Sequence, residues 1–512
     1  MDNPGLTQQL KTLLLCGAGL LFAIFLGTQI GAENYPQLLL GAVIVIVGSI
    51  SLFSGRFFWV MTIASSFLAG TFPILGGQFT TFQILMVIGI AKFFVGDIVL
   101  RRTKIKLGTR FDALMIVGFM SILTWHGVHD RFGMRFLGSN VWGGRNYVNV
   151  YVGLVAFFVI QSIPIKPKLW AKLPYVILAV TAFDAVIGII TTIFPSSIYE
   201  IYPFYSAVSL AGIEEVLKGN VETARLSSVG NFGVTLIILI LASVSMREVL
   251  HPSNFFRLIS LIGGFLTVLY SGFRSAVSSM LIATAVAGVR DLKWAVLALL
   301  PFVAALLFAL SVVNSEFITL PGQVQRSLAF IPGRWDFDAA QDAAASNDFR
   351  IKVWTLWWRE YFPVHPLIGR GFGFRSSWAA TSVVEHGAYE TQQVVETGNI
   401  HNGCFSTLDA FGIVGTIFFV IWNIRLLART FRVPLPKNDP DGVAVRFLGL
   451  YLATTIIFYS VGASSVGSFL PQEFAMAAVF LRLQRELSLE SSRAQSPARA
   501  DESELSEELV PA

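Results

Sequence analysis

The sequence predicts an all-α polytopic membrane protein of about 12–14 transmembrane helices, with one long external loop that contains short helices. Three observations predict it. Hydrophobic residues make up 54% of the chain and charged residues 13%, against about 25% charged in soluble domains. Apolar runs long enough to span a bilayer recur along the chain, whereas barrel strands would alternate over about ten residues. Lysine and arginine gather in short segments between those runs, the distribution that orients membrane proteins.

The candidate spans lie near 12–31, 36–54, 57–72, 81–99, 111–127, 147–164, 173–194, 229–246, 255–272, 275–289, 294–313, 403–425, 445–461 and 466–482. The first exceeds a signal-peptide core and reads as a retained span. The pair within 36–72 is short for two crossings. RRTKIKLGTR at 101–110, KPK at 166–168, and Arg425, Arg429, Arg432 and Lys437 fall on one side together with both termini. The positive-inside bias makes that side the cytoplasm.

Four segments then face outward: 128–146, 195–228, the turn at 271–274, and the loop 314–402. That loop, about ninety residues long, far exceeds ordinary connections. Its five tryptophans, prolines and glycines argue for a folded, functional loop. Residues 483–512, rich in Ser and Glu, read as a disordered cytoplasmic tail. The net charge of +5 is modest and sits in short loops, so no nucleic-acid partner is expected. Cys16 and Cys404 have neither metal-ligand spacing nor a disulfide framework and read as small apolar residues.

Positive charge on the outward side needs a reason. Arg131, Arg135, Arg145, Arg225, Arg274 and Arg350 all fall there. Arg274, in LYSGFRSAVSSML, has almost no loop around it. At a helix centre an arginine costs about 2.5–3.5 kcal/mol on insertion scales. Either it snorkels to the headgroups, or its guanidinium serves as a fork for a phosphate. In RIKVWTLWWREYF, helical spacing puts Arg350, Trp354, Trp357, Trp358 and Tyr361 on one face. Such a helix lies on the membrane surface, as an aromatic anchor or as the platform for Arg350.

His401, in GNIHNGCFSTLDAFGIVG, immediately precedes an apolar run. It is either a polar loop end or a group that does chemistry at the membrane surface. Asp184, in mid-span, is either functional or a hydrogen-bonding partner for a neighbouring helix. His126 and His129 in WHGVHD are closely spaced, but no third ligand is evident and no metal is expected. His365, between two prolines, reads as a turn residue, and His386 as a loop residue within reach of an acceptor.

Four segments carry a resemblance to the O-antigen ligase and polymerase superfamily of bacterial inner-membrane glycan transferases. ARLSSVGNFG (224–233) is similar to the family's Arg followed by Gly-Asn, with Phe232 where Pro is frequent. SGFRSA (271–276) resembles its Ser-Arg-Gly-type turn. FRIKVWTLWWREYFPVHPLIGRGFGF (349–374) resembles its arginine, tryptophan, then Pro-Leu-x-Gly-x-Gly-x-Gly. HNGCFSTLDAFGIVG (401–415) resembles its His-Asn segment followed by Gly-x-x-Gly. The resemblance divides the chain into an N-terminal transmembrane bundle (1–223), an O-antigen ligase-like domain (224–482) with the external loop, and the tail.

The resemblance implies a glycan donor on undecaprenyl pyrophosphate, a lipid- or glycan-linked acceptor, and a site on the periplasmic face of the inner membrane. It implies His401 as general base, a role neutral imidazole suits, with Arg350 and Arg274 stabilising the departing pyrophosphate. Arg225, Asn402, Trp354 and Trp357 would bind substrate. No cofactor is implied, and no external Asp-x-Asp suggests a metal. A single displacement would invert the anomeric centre. Three alternatives stay open: a polymerase joining lipid-linked repeat units, a transporter of the lipid-linked glycan, and an assembly scaffold.

Overall fold

The apolar runs fold into helices because a bilayer offers backbone N–H and C=O groups no other partners. The structure, a computed structural model, describes residues 23, 27, 55–68, 70–74, 77–94, 105–129, 143–163, 165–201, 205, 225–249, 251–373, 388–432, 439–462 and 465–507. The spans expected at 12–31 and 36–54 fall almost wholly outside these residues, as do Arg131, Arg135 and His386.

The described chain begins with α1 (Phe57–Ala64), followed by strands β1 (Thr71–Ile74) and β2 (Gly77–Thr80) and then α2 (Thr81–Phe93). The strands pair antiparallel, with Thr71 opposite Thr80. This hairpin is the one departure from an all-helical chain among the described residues. It also corrects the span expected at 57–72, whose helical part ends at Phe67, while the far end of the span expected at 81–99 lies outside the described residues. Glycine and proline in GTFPILGGQ turn the chain back, and a Thr80–Gln83 capping box starts α2 afresh. The apolar helical segment Phe57–Phe67 is short for a crossing.

The bundle continues with α3 (Arg110–His129), α4 (Gly144–Ser162), α5 (Leu173–Ile193), α6 (Ser227–Ser243), α7 (Phe255–Tyr270), α8 (Arg274–Leu292) and α9 (Leu300–Glu316). The long loop folds into α10 (Gly322–Leu328), α11 (Phe337–Leu356) and α12 (Ala388–Glu396). The bundle then closes with α13 (Gly403–Thr430), α14 (Pro440–Val461) and α15 (Val466–Glu507). Helix α15 stays helical where composition predicts a disordered tail; Leu, Glu, Arg and Ala, all good helix formers, populate that stretch.

Among the described residues, Arg110–His129, Pro167–Ile193, Pro252–Tyr270, Gly403–Thr430 and Pro440–Val461 are long and apolar enough to cross a membrane. The chain is a polytopic, mostly helical membrane protein. Its α14 span is 72% buried and its α7 span 17%, so α14 forms the centre and α7 the rim. Leu114, Phe183, Phe256, Leu266 and Ile424 point outward from α3, α5, α7 and α13, an apolar surface suited to lipid. At one end Arg425 of α13 pairs with buried Asp112 of α3 at 3.1 Å. That contact gathers residues 105–110 and 425–432 at a single end. The turn at 271–274 and the start of α13 lie at the other.

Helix α13 is broken at Gly412, whose φ of 62° and ψ of −168° interrupt the ladder. The residues 366–371 fill the break. Ile413 and Val414 donate their N–H groups to the carbonyls of Pro366 and Leu367 at 2.9 and 3.0 Å. The carbonyls of Asp409 and Ala410 accept from Arg370 and Gly371 at 2.8 and 3.1 Å. Every backbone group freed by these missing helical bonds is thus satisfied. Glycine is required on both sides: a Cβ on Gly412 would lie 2.4 Å from the Gly369 nitrogen, and one on Gly369 2.5 Å from that of Gly412.

Side chains lock the same junction. Arg370 donates from Nε and Nη2 to both carboxylate oxygens of Asp409 at 2.8–2.9 Å, and Trp357 Nε1 donates to Asp409 Oδ1 at 2.9 Å. Removing one partner strands a buried charge. Arg370→Ala and Asp409→Ala should each destabilise the fold by about 3–5 kcal/mol. Thermal unfolding of the solubilised protein reads this directly; unchanged melting in both variants contradicts the lock.

Candidate functional site

At the end of the bundle away from the Arg425–Asp112 pair, a cleft of about 470 Å³ lies between the 271–274 turn and α11. Local backbone chemistry brings its residues there. Gly272, at φ +72°, makes the turn after α7, and the Ser271 hydroxyl accepts the N–H of Phe273 at 3.2 Å. The turn delivers Arg274 as the first residue of α8. The Leu226 N–H donates to the Ser271 carbonyl at 2.9 Å, which fastens the Arg225 segment alongside.

From the loop, Ser327 Oγ donates to the Leu269 carbonyl at 2.8 Å and seats α10, with Arg326 buried beside it. Helix α11 lines the cleft with Asp342, Ser346, Phe349 and Arg350, the i, i+4, i+7, i+8 pattern of one face.

The cleft therefore collects four guanidinium groups around one carboxylate. Asp342 pairs with Arg225 at 2.9 Å and Arg326 at 3.3 Å, and approaches Arg274 at 3.8 Å. Arg274 also donates to the Ala343 carbonyl at 3.3 Å. Arg350 has no ion-pair partner among the described residues, and its Nε is buried without a hydrogen bond. An excess of cation with an orphaned donor is the chemistry of an anion site.

His401 lines the same cleft, held from both sides. Trp354 Nε1 donates to the carbonyl of the preceding residue, Ile400, at 2.9 Å. The following residue, Asn402, caps α13 by accepting the Phe405 N–H at 3.1 Å. Between these anchors His401 takes φ 55°, a left-handed conformation uncommon outside glycine. Its ring meets Phe349 edge-on, with centroids 5.9 Å apart. Burial, and then the nearby Arg350 charge, hold its pKa below the ordinary 6.5, so the imidazole is neutral at pH 7 and able to accept a proton.

The structure thus brings together Arg225, Arg274, Arg350 and His401, and adds Arg326 and Asp342, which the sequence reading missed. Asp342 had a signal: it sits two helical turns before Arg350 on the same face. Arg326 had none, because its burial depends on the tertiary anchor at Ser327. Asn402 does not line the cleft; its side-chain oxygen serves the helix cap. Trp354 and Trp357 do not line it either, packing instead with Val353, Val395 and Ile400.

The single aromatic face expected from 350 onward is corrected. A π-helical turn at Trp357–Tyr361 shifts the register, so Trp357 is buried against Phe405 while Trp358 is 55% exposed. Other polar residues settle into structural contacts. Asp184 accepts from Tyr205 at 2.8 Å, and His126 meets the Ile368 carbonyl at 3.0 Å. Among the described residues no cluster of His, Cys, Asp or Glu suits a metal ion.

The electrostatics are testable by titration. NMR of the His401 ring should give a midpoint below that of an ordinary histidine, and Arg350→Gln should raise it by removing the like charge. A midpoint unchanged by that substitution contradicts the arrangement.

No curated protein sequence matches the chain. Residues 259–420 match the model of the family described as O-Antigen ligase, an interval that holds Arg274, Arg326, Asp342, Arg350 and His401. The resemblance seen in the motifs at 271–276, 349–374 and 401–415 is borne out: residues 259–420 of this polytopic membrane protein are similar to the O-Antigen ligase family.

Proposed function

We propose that the protein is a glycan transferase that moves a glycan from an undecaprenyl-pyrophosphate carrier to an acceptor hydroxyl on the outer face of the bacterial inner membrane. One observation carries the reading: His401, the neutral base among the described residues of the cleft, shares it with four arginines, two of which, Arg225 and Arg350, have an orphaned buried donor. Orientation follows from the basic segments 101–110 and 425–437, whose side is the cytoplasm, leaving the cleft outside. Residues 224–482 form the catalytic domain and 1–223 a supporting bundle.

The steps follow from the groups. The acceptor hydroxyl gives its proton to the His401 imidazole as its oxygen bonds the anomeric carbon. The bond from that carbon to the pyrophosphate oxygen breaks, and the electron pair leaves with the pyrophosphate. Arg350 and Arg274 meet the growing negative charge, with Arg225 and Arg326 behind them through Asp342. Guanidinium groups fixed before reaction cost no reorganisation as charge develops. A single displacement inverts the anomeric centre. The departing pyrophosphate stays on its lipid at the membrane surface, and the acceptor approaches from the side of His401. The description O-Antigen ligase favours a finished glycan and a lipid-linked acceptor over joining of repeat units.

Protein reconstituted with lipid-linked donor and acceptor should form a glycosidic product. His401→Ala should reduce turnover by about 10²–10⁴-fold, the usual worth of a general base. Arg350→Ala should abolish transfer while protein still accumulates in the membrane. Full activity in both variants would remove the assignment, and translocation without bond formation would point to a transporter.

A further inference from the structure

A second cavity, of about 370 Å³, opens beside the arginine cleft and shares Phe273 and Ser275 with it. It runs down between residues 66–68, just after α1, and helices α6, α8, α14 and α15, from Ser227 at the head of α6 to Thr235 and Ile238 two to three turns lower. Its lining is unusual for the inside of a membrane bundle. Ser227, Asn231, Ser275 and Ser279 line it, with Asn231 and Ser275 at its exposed edge. Thr454, only 1% exposed, presents an Oγ1 that has no hydrogen-bond partner among the described residues. A buried hydroxyl left this way is costly, and in native proteins it marks a missing ligand or water.

The lining also says what that ligand is. Among the described residues no cationic side chain and no carboxylate lines the cavity, so its lining favours a neutral ligand over an anion or a cation. A purely alkyl chain would leave the hydroxyls and the amide unsatisfied. Hydroxyls and an amide set among the rings of Phe67, Phe273, Tyr451 and Phe458 suit a compact, neutral polyhydroxyl ring.

We infer that this cavity is a sugar subsite: it takes the ring bonded to the pyrophosphate, while the arginines hold the phosphates next door. The inference rests on the cleft being the pyrophosphate site, and it adds that the donor's first sugar is read by Asn231 and Thr454. Bound there, the ring has its anomeric carbon at the boundary of the two chambers, where Phe273 and Ser275 line both.

Binding to the full chain in nanodiscs tests it, with inorganic phosphate, glucose 1-phosphate, galactose 1-phosphate, N-acetylglucosamine 1-phosphate and farnesyl phosphate as probes. At least one sugar phosphate should bind about tenfold or more tightly than inorganic phosphate, the worth of one or two added hydrogen bonds. Thr454→Val and Asn231→Leu should each remove most of that increment and leave inorganic phosphate binding unchanged. If no sugar phosphate exceeds inorganic phosphate, or if the two variants weaken farnesyl phosphate instead, the sugar subsite is wrong and the arginine cleft stands. If inorganic phosphate itself fails to bind, the cleft reading falls and this inference falls with it.

Discussion

The break in α13 at Gly412, bridged by the backbone of 366–371 and clamped by Arg370 on Asp409, is the constraint on which the long loop depends. A helix interrupted within a bundle is tolerable only where its freed groups find partners. Here the partners come from the loop, so the break and the loop stabilise one another. Trp357 reaches Asp409 from α11's continuation, and Arg370 reaches the Val395 carbonyl at the end of α12. One carboxylate thereby ties the 357–371 segment to α13 and, through Arg370, to α12. With α11 held in this way, Arg350 and Asp342 face the 271–274 turn.

The cleft's electrostatics follow from that placement. Four arginines brought together would repel one another, and Asp342 offsets part of the repulsion while leaving positive charge in excess. His401 sits in this field in a backbone conformation that costs about 1–3 kcal/mol in a non-glycine residue. The pinned Ile400 carbonyl and the Asn402 cap hold it there. A neutral base beside a cationic pocket suits chemistry in which a proton is taken up at one side while negative charge appears at the other.

Much of this was legible in the sequence, and the rest failed for identifiable reasons. Hydropathy marks helices because burial in lipid is a property of composition. The arginines stood out because positive charge on the outward side opposes the orienting bias. The Gly-rich and Gly-x-x-Gly segments could be read as motifs, but their purpose lies in docking against each other, which a linear pattern does not encode. The aromatic face was misread beyond Trp357 because the π turn that begins there changes the angular step that periodicity assumes. Asn402 carried an available signal, since Asn before an apolar run is a capping residue. Asp342 and Arg326 looked like ordinary charges in a long loop, and only tertiary packing made them part of a site. The hairpin at 71–80 lies almost wholly in the connection between the spans read at 57–72 and 81–99, where two four-residue strands are too short to show a period.

The central claim is that the cleft between Arg274, Arg350 and His401 holds the donor's pyrophosphate. The most direct measurement is a cryo-EM structure of the full chain in nanodiscs with a short polyprenyl pyrophosphate carrying one sugar. The account predicts diphosphate density within hydrogen-bond reach, about 3 Å, of Arg350 and Arg274, on the side of the cleft that His401 faces. Diphosphate density elsewhere in the protein, with Arg350 unengaged, would contradict it.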